Sequence, residues 1–486
     1  MPLKSQRYLS YWRAVDIGIL SCILIFCFAY VVWGSNFAET GVYFSVFNFP
    51  VFLGEILLGF CLCLWVLRQW LSHERFNLTQ GMWFFYLTAV VIKAIFDYVY
   101  WGPLALRNAA LFYYPMFAFL TMQCFKPEIL NQQRIFIAIV VFIFLLAAKI
   151  ISGYFWLTGM LLTVILILML KQSPWRWVLL FLLLLTSHVN YIFMENRTHL
   201  LGALGAVIVI TALILKSNLY PTLTKYRYYF VFGLIIILVA GIKNFSDLNG
   251  VKSLMMIDKL IEEYSYQKMI IHDQEDLYQQ KKRPVKIYAS NKDIIVQQFV
   301  HDQEDVLEVR RDVFKKKMEL PKDNALASTP VAEKETGLKY RSIEGACNNI
   351  LFRWFIWEDM WQELWDTRAI MGVGLGKPQR SKNIEILGWA LSEWSRDGWI
   401  AMHNSFLQVI YRTGIVGLIL LIFLFSVFFH LIKQFVIKKS LIGIVFIGIF
   451  TYWIIGANFG VVLELPYFAI PIWSLAGIML AYAKRL

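Results

Sequence analysis

The chain has 486 residues, of which 59% are hydrophobic and 16% charged, with a formal net charge of +13. That apolar share exceeds the roughly 45–50% of a soluble globular domain, which excludes a water-soluble protein and indicates a membrane class. The positive charge lies largely in short breaks between apolar runs, so it reads as a topological signal and not as a nucleic-acid surface.

A helix needs about 20 apolar residues to cross the hydrocarbon layer. About twelve such runs are predicted, at 15–34, 50–67, 82–101, 105–124, 134–151, 153–170, 176–194, 198–216, 228–244, 407–432, 440–458 and 467–483. The first is expected to be a retained anchor, because it is too long for a cleaved signal and leads straight into the second. Alternate loops differ in basic residues. One set carries Lys4, Arg7, Arg68, Arg75, Lys126, Lys171, Lys216, Lys225, Lys438, Lys439, Lys484 and Arg485, while the opposite set has chiefly Arg107, Lys149 and Arg197. The positive-inside rule then puts both termini in the cytoplasm and residues 245–402 outside, in the periplasm of a bacterium with two membranes. The expected fold is an all-α polytopic membrane protein. Transmembrane helices 1–9 occupy residues 1–244, a large and mostly helical periplasmic loop domain occupies 245–402, and helices 10–12 occupy 403–486.

In chain order, the third run carries Lys93 and Asp97 one turn apart, which predicts an ion pair near the outer membrane face. The hairpin between the seventh and eighth runs holds Glu195, Asn196 and Arg197 on the outer side, against the charge rule. A guanidinium there has a fixed charge and a fork matched to phosphate oxygens. The alternative is an arginine snorkelling to lipid headgroups.

Within the loop, His-Asp-Gln-Glu-Asp occurs at 272–276 and again at 301–305, a short internal duplication. A metal reading of His272, Asp273, Glu275 and Asp276 with their copies stands beside the plainer one, solvated first turns favoured by the helix dipole. Residues 316–340 are polar with Pro321, Pro330 and Gly337, as in a linker. The Trp-rich stretch 349–365 suits either a helix at the lipid–water interface or an amphipathic helix packed on the loop domain. The turn Gly372-Val-Gly-Leu-Gly-Lys377-Pro378 either aims backbone N–H groups at a phosphate or is a plain tight turn. It is no P-loop, since Pro378 replaces the hydroxyl residue that would hold magnesium. Six cysteines are present, of which Cys347 alone lies in the loop, and no metal-type Cys/His spacing occurs.

His403 sits where the chain re-enters the membrane. A helix running on from it places Leu407, Ile410, Gly414, Gly417 and Leu421 on its side, with the glycines open to close approach by another helix. A neutral imidazole at that level accepts a proton from a sugar hydroxyl. The bland alternative is an interfacial histidine bonded to a neighbour.

The run His403, Asn404, nine residues (405–413), Gly414, two residues, Gly417 resembles the O-antigen ligase family, which also includes polysaccharide polymerases of the Wzy type. The family's pattern is His, then Asn, Ser or Gln, nine residues, Gly, two residues, then Gly, Thr or Tyr, directly after a large outer loop. Asn196-Arg197 at a helix start and the turn at Gly372–Gly376 after a Trp-rich helix are similar to further family features. The resemblance implies a GT-C-like fold and metal-independent transfer, without cofactor, of a glycan from an undecaprenyl-diphosphate carrier to an acceptor hydroxyl on the periplasmic face of the inner membrane. His403 is then the general base and Arg197 the cation on the leaving diphosphate, with inversion if displacement is direct. Asn404, Asn196, Arg353, Lys377 and Arg412 are expected substrate contacts, with Arg412 ranked lower because nine helical residues turn it away from His403. A ligase takes lipid A-core as acceptor. A polymerase takes a second carrier-linked glycan and works with a chain-length regulator. A transporter or flippase is the alternative of a different class, for which inverted repeats, broken helices or charges near the bilayer midplane are expected, and the one charged pair of that kind is Lys93 with Asp97.

Overall fold

The computed structural model describes residues 2–38, 40–44, 49–72, 77–126, 132–148, 150–151, 155–170, 178–179, 182–183, 197–217, 261, 263–272, 343–387 and 402–486. The expected crossing at 228–244, most of that at 176–194, the linker 316–340 and nearly all of the duplicated segment lie outside the described residues.

Helix α1 (Pro2–Ala38) is kinked at Gly34 and leads into a small hairpin, β1 (Gly41–Phe44) and β2 (Phe49–Phe52), paired antiparallel with Gly41 opposite Phe52. Helices α2 (Leu53–Leu71), α3 (Leu78–Trp101), α4 (Pro103–Tyr113), α5 (Met116–Cys124), α6 (Gln132–Ala147), α7 (Trp156–Met169) and α8 (Arg197–Ser217) follow. After the loop come α9 (Ile343–Asp366), α10 (Lys382–Ile386), α11 (Ser405–Thr413), α12 (Ile415–Ile437), α13 (Leu441–Asn458) and α14 (Pro466–Ala483). Among the described residues six helices are long and apolar enough to cross a membrane: Ala14–Gly34 within α1, then α2, α3, α12, α13 and α14. The chain is a mostly helical, multi-pass membrane protein. Its outward faces are oily, with Phe85, Ile95 and Val99 on α3 and Ile419, Ile422 and Phe423 on α12 all exposed, which lipid tolerates and water does not.

Three details differ from the sequence reading. The run 105–124 is two helices, α4 and α5, broken at Tyr114-Pro115, because Pro115 lacks an N–H and its ring clashes with the preceding turn. The run 407–432 is also two helices, joined at Gly414 with φ 57°, a left-handed conformation that glycine adopts freely. The hairpin β1–β2 is a minor exception to the all-α expectation.

Close packing holds the bundle together. A Cβ at Gly477 of α14 would overlap Thr121 and Ala118 of α5, and the Thr121 hydroxyl donates to the Ser474 carbonyl at 2.9 Å. The same small-residue logic joins α8 to α13. Gly202 faces Tyr452, Gly205 faces Ile455 and Thr451, and Gly448 faces Ile210 and Ala206. As positions rise along α8 they fall along α13, so the two are antiparallel.

The two ends of the bundle differ in charge. Buried Asp16 of α1 pairs with Arg68 at 3.2 Å and Lys126 at 3.5 Å. Gln434 near the end of α12 donates to the Ala483 carbonyl at 2.7 Å, and Ser440 meets the Tyr482 hydroxyl at 3.0 Å, so Lys438, Lys439, Lys484 and Arg485 gather at one end. The start of α2 lies at the other, where Gly54 faces Tyr30 and Ile470 near the start of α14. At that other end a separate apolar cluster joins Ile271, Leu351, Phe355, Ile356, Met360, Ile384, Met402 and Tyr411. The loop helices therefore share a core with α11. Helix α9 also turns Trp354, Trp361 and Trp365 outward on one stripe, exposed at 52%, 57% and 85%, so one face packs on the loop while the opposite aromatic face stays open.

Candidate active site

The end of the bundle opposite the basic cluster carries the candidate residues. Helix α9 clamps the chain there at two points. The Trp357 indole N–H donates to the Met402 carbonyl at 2.6 Å, and Arg353 Nη1 donates to the Phe459 carbonyl at 2.8 Å. The first contact holds the residue before His403, and the second holds the loop between α13 and α14.

His403 does not lie on a helix. It has φ 51°, just before the α11 cap, so the helical angles expected from it do not apply, and the atoms nearest to Gly414 and Gly417 are not those of a neighbouring helix. Instead, a Cβ at Gly414 would overlap the Ile370 carbonyl oxygen of a loop, and one at Gly417 would overlap Thr413 and Val409 of its own turn. A left-handed conformation costs a non-glycine residue about 1–2 kcal/mol, so the neighbours must hold it. Asn404 Oδ1 caps α11 by accepting from the N–H groups of Phe406 at 3.1 Å and Leu407 at 3.0 Å. The Ser405 hydroxyl reaches Glu464 Oε2 at 2.6 Å and the Gly460 carbonyl at 3.1 Å, and accepts from the Leu463 N–H at 3.1 Å.

The electrostatics follow from this burial. Desolvation, reinforced by the Arg353 cation, holds the His403 imidazole down to about 4, so it is neutral near pH 7 and able to take a proton. Burial pushes the Glu464 carboxyl up to about 7, against the Ser405 bond and the charge of Arg412. Arg412 itself is 2% exposed, and desolvation lowers it to about 10, with Tyr411 and Glu363 opposing.

Arg197 is the first residue of α8. Continuing from Gly205, which faces Thr451 and Ile455, eight residues at about 1.5 Å each bring its main chain about 12 Å further. That is the level of the loop after Asn458, the end that carries Arg353 and His403. Asn196 lies outside the described residues.

The remaining candidates contact protein oxygens. Lys377 pairs with Glu363, whose other oxygen accepts from the Tyr411 hydroxyl at 2.5 Å. Arg412 Nη1 donates to the carbonyls of Gly374 at 3.1 Å and Lys377 at 2.6 Å. The glycine turn uses its own N–H groups too. Gly372 donates to Ala369, Val373 to Tyr411, and Gly374 to Arg412, while Leu375 donates to buried Asp97 at 2.7 Å. Those four amides are therefore turned into the protein and not toward a phosphate. Asp97 forms the expected pair with Lys93 at 2.8 Å and also anchors this turn to α3. His272 is exposed, and among the described residues no cluster of His, Cys, Asp and Glu is suited to a metal.

Sequence reasoning missed Ser405 and Glu464. One signal was available: between Leu441 and Ala483 the only charged residue is Glu464.

A family model described as O-antigen ligase matches residues 179–422, half of the chain, a segment that includes Arg197, Arg353, Lys377, His403 and Arg412 and stops short of Glu464. No curated protein and no solved structure matches.

Proposed function

From the premise that the chain belongs to the O-antigen ligase family, we propose that it moves a glycan from an undecaprenyl-diphosphate carrier to a hydroxyl of lipid A-core, on the periplasmic face of a bacterial inner membrane. The family points to ligase- or polymerase-type activity, and the site chemistry supports transfer from a lipid-borne sugar. One observation carries the reading. The antiparallel packing of α8 on α13 brings the start of α8, at Arg197, to the end of the bundle where His403 and Arg353 lie. The basic residues cluster at the other end, which the positive-inside rule assigns to the cytoplasm.

In this mechanism neutral His403 takes the proton of the acceptor hydroxyl as its oxygen attacks the anomeric carbon. The bond from that carbon to the diphosphate oxygen breaks with its electron pair, and the new negative charge develops on the diphosphate. Arg197 stabilises that charge, and Arg353 assists beside His403. A single displacement inverts the sugar carbon. Asn404 orders the turn by capping α11, while Lys377 and Arg412 shape the adjoining glycine turn.

The test is transfer by the reconstituted protein from a defined undecaprenyl-diphosphate glycan, offered core lipid in one reaction and a second carrier-linked glycan in another. Product on core lipid supports the ligase. Chain growth on the carrier assigns a polymerase instead, and intact substrate in both reactions rejects glycan transfer.

A further inference from the structure

We infer that Glu464 is a positioning residue for this reaction: through Ser405 it fixes the turn that holds His403. The inference deepens the proposed transfer and rests on it only for the meaning of the rate. Glu464 lies beyond the segment that the family model matches and stands in an otherwise uncharged stretch of the chain. Its carboxylate turns inward. Oε2 accepts from the Ser405 hydroxyl at 2.6 Å, and Oε1 is buried with no partner at good hydrogen-bond geometry, the backbone N–H groups of Leu463 and Glu464 lying beside the carboxylate. An unsatisfied buried carboxylate oxygen is costly, and an aliphatic side chain would fill the same space without that cost.

What the carboxylate supplies is a firm acceptor for Ser405, two residues after His403. Ser405 is fully buried, and it ties together Glu464, the Leu463 N–H and the Gly460 carbonyl. The charged groups around this knot are Arg412 from α11 and, on the far side of the same loop, Arg353 of α9 on the Phe459 carbonyl. Without Ser405 anchored, the left-handed turn at His403 keeps the Trp357 bond before it and, after it, the Asn404 cap and the Gln408 N–H on the Asn404 carbonyl. Because Oε1 is closed to solvent and Oε2 is held by Ser405, the effect of Glu464 passes through the histidine.

The experiment uses the full chain in lipid, with Glu464→Ala, Glu464→Gln and Ser405→Ala, and reads both transfer kinetics and the titration of the His403 imidazole by NMR. Misplacing a catalytic group by about 1 Å can cost on the order of a hundredfold in rate, so Glu464→Ala and Ser405→Ala should each lower kcat by about tenfold or more. The donor KM should stay within about twofold, since ground-state binding is untouched. Glu464→Gln keeps an oxygen for Ser405 and should recover most of the rate. If Glu464→Ala fails to fold, Ser405→Ala and Glu464→Gln still decide the matter. Wild-type kcat and an unmoved His403 titration in Ser405→Ala would overturn the inference, as would a rise in KM with kcat intact. Should the wild-type protein transfer to neither acceptor, the proposed function falls, while the imidazole titration still tells whether Glu464 positions His403.

Discussion

Replacing Arg353 by Gln should raise the pKa of His403, and the structure bounds by how much. The imidazole drops from the ordinary 6.5 to about 4, with burial as the larger cause and the Arg353 charge as the smaller. Removing the smaller cause returns less than half of that drop, so the variant should titrate no higher than about 5. One pKa step corresponds to about 1.4 kcal/mol. The chain has seven histidines, so the His403 signal can be assigned by its loss in His403→Gln and followed by carbon-13 NMR of labelled protein in nanodiscs. The sign for activity follows directly. The neutral base is the active form, so transfer persists above the pKa and fails as pH falls through it, and Arg353→Gln should move that acid limb upward. Donor diphosphate offsets the Arg353 charge, so undecaprenyl diphosphate should raise the wild-type His403 titration and raise it less in the variant. A His403 pKa that stays put or falls in Arg353→Gln would refute the reasoning, because it would mean that the cation does not act on the imidazole.

Other outcomes can be stated together. Arg197→Ala and His403→Ala should each abolish transfer in vitro while the protein still inserts and unfolds normally on heating; a wild-type rate in either removes that residue from the mechanism. Asp97→Ala should strand the buried Leu375 N–H and cost about 1–3 kcal/mol in thermal or denaturant unfolding, whereas Asp97→Asn keeps an acceptor and should cost less. Gly414→Ala places a Cβ against the Ile370 carbonyl at φ 57°, so a stability loss of at least about 1 kcal/mol is expected in the same assay. For Glu464 the folded pKa is raised from 4.5 to about 7, so the folded state holds the proton more tightly and stability is lost as pH rises through that window. The melting temperature of Glu464→Gln relative to wild type should therefore climb between pH 4.5 and 7, and a flat difference would contradict the burial of that carboxyl.

Much of this molecule is legible in the order of its residues. A helix in lipid must satisfy its backbone within itself, so each crossing leaves a long apolar run, and among the described residues six such runs reappear as helices long enough to span a membrane. The spacing from His403 to Gly414 and Gly417 carries the family resemblance because it is local, and the family model agrees. The loop helix at 349–365 is visible for the same reason, through its aromatic and charged alternation.

Other features depend on contacts between distant segments, which no local pattern encodes. Helical periodicity from His403 turns Arg412 to the opposite face, yet His403 lies outside the helix and Arg412 is buried against Gly374 and Lys377. The glycine spacing alone allows a phosphate cradle, but the N–H groups of the turn are spent on Tyr411, Arg412 and Asp97. Ser405 and Glu464 meet across 59 positions, a pairing set by where α13 hands the chain to α14 and not by either residue's neighbours. The apolar runs and the histidine spacing thus belong to the sequence by itself, since backbone bonding in lipid and a short turn are local demands. The partner of each buried charge is a tertiary matter, since an ion or hydrogen bond inside the protein exists only once the helices that carry its two halves have packed.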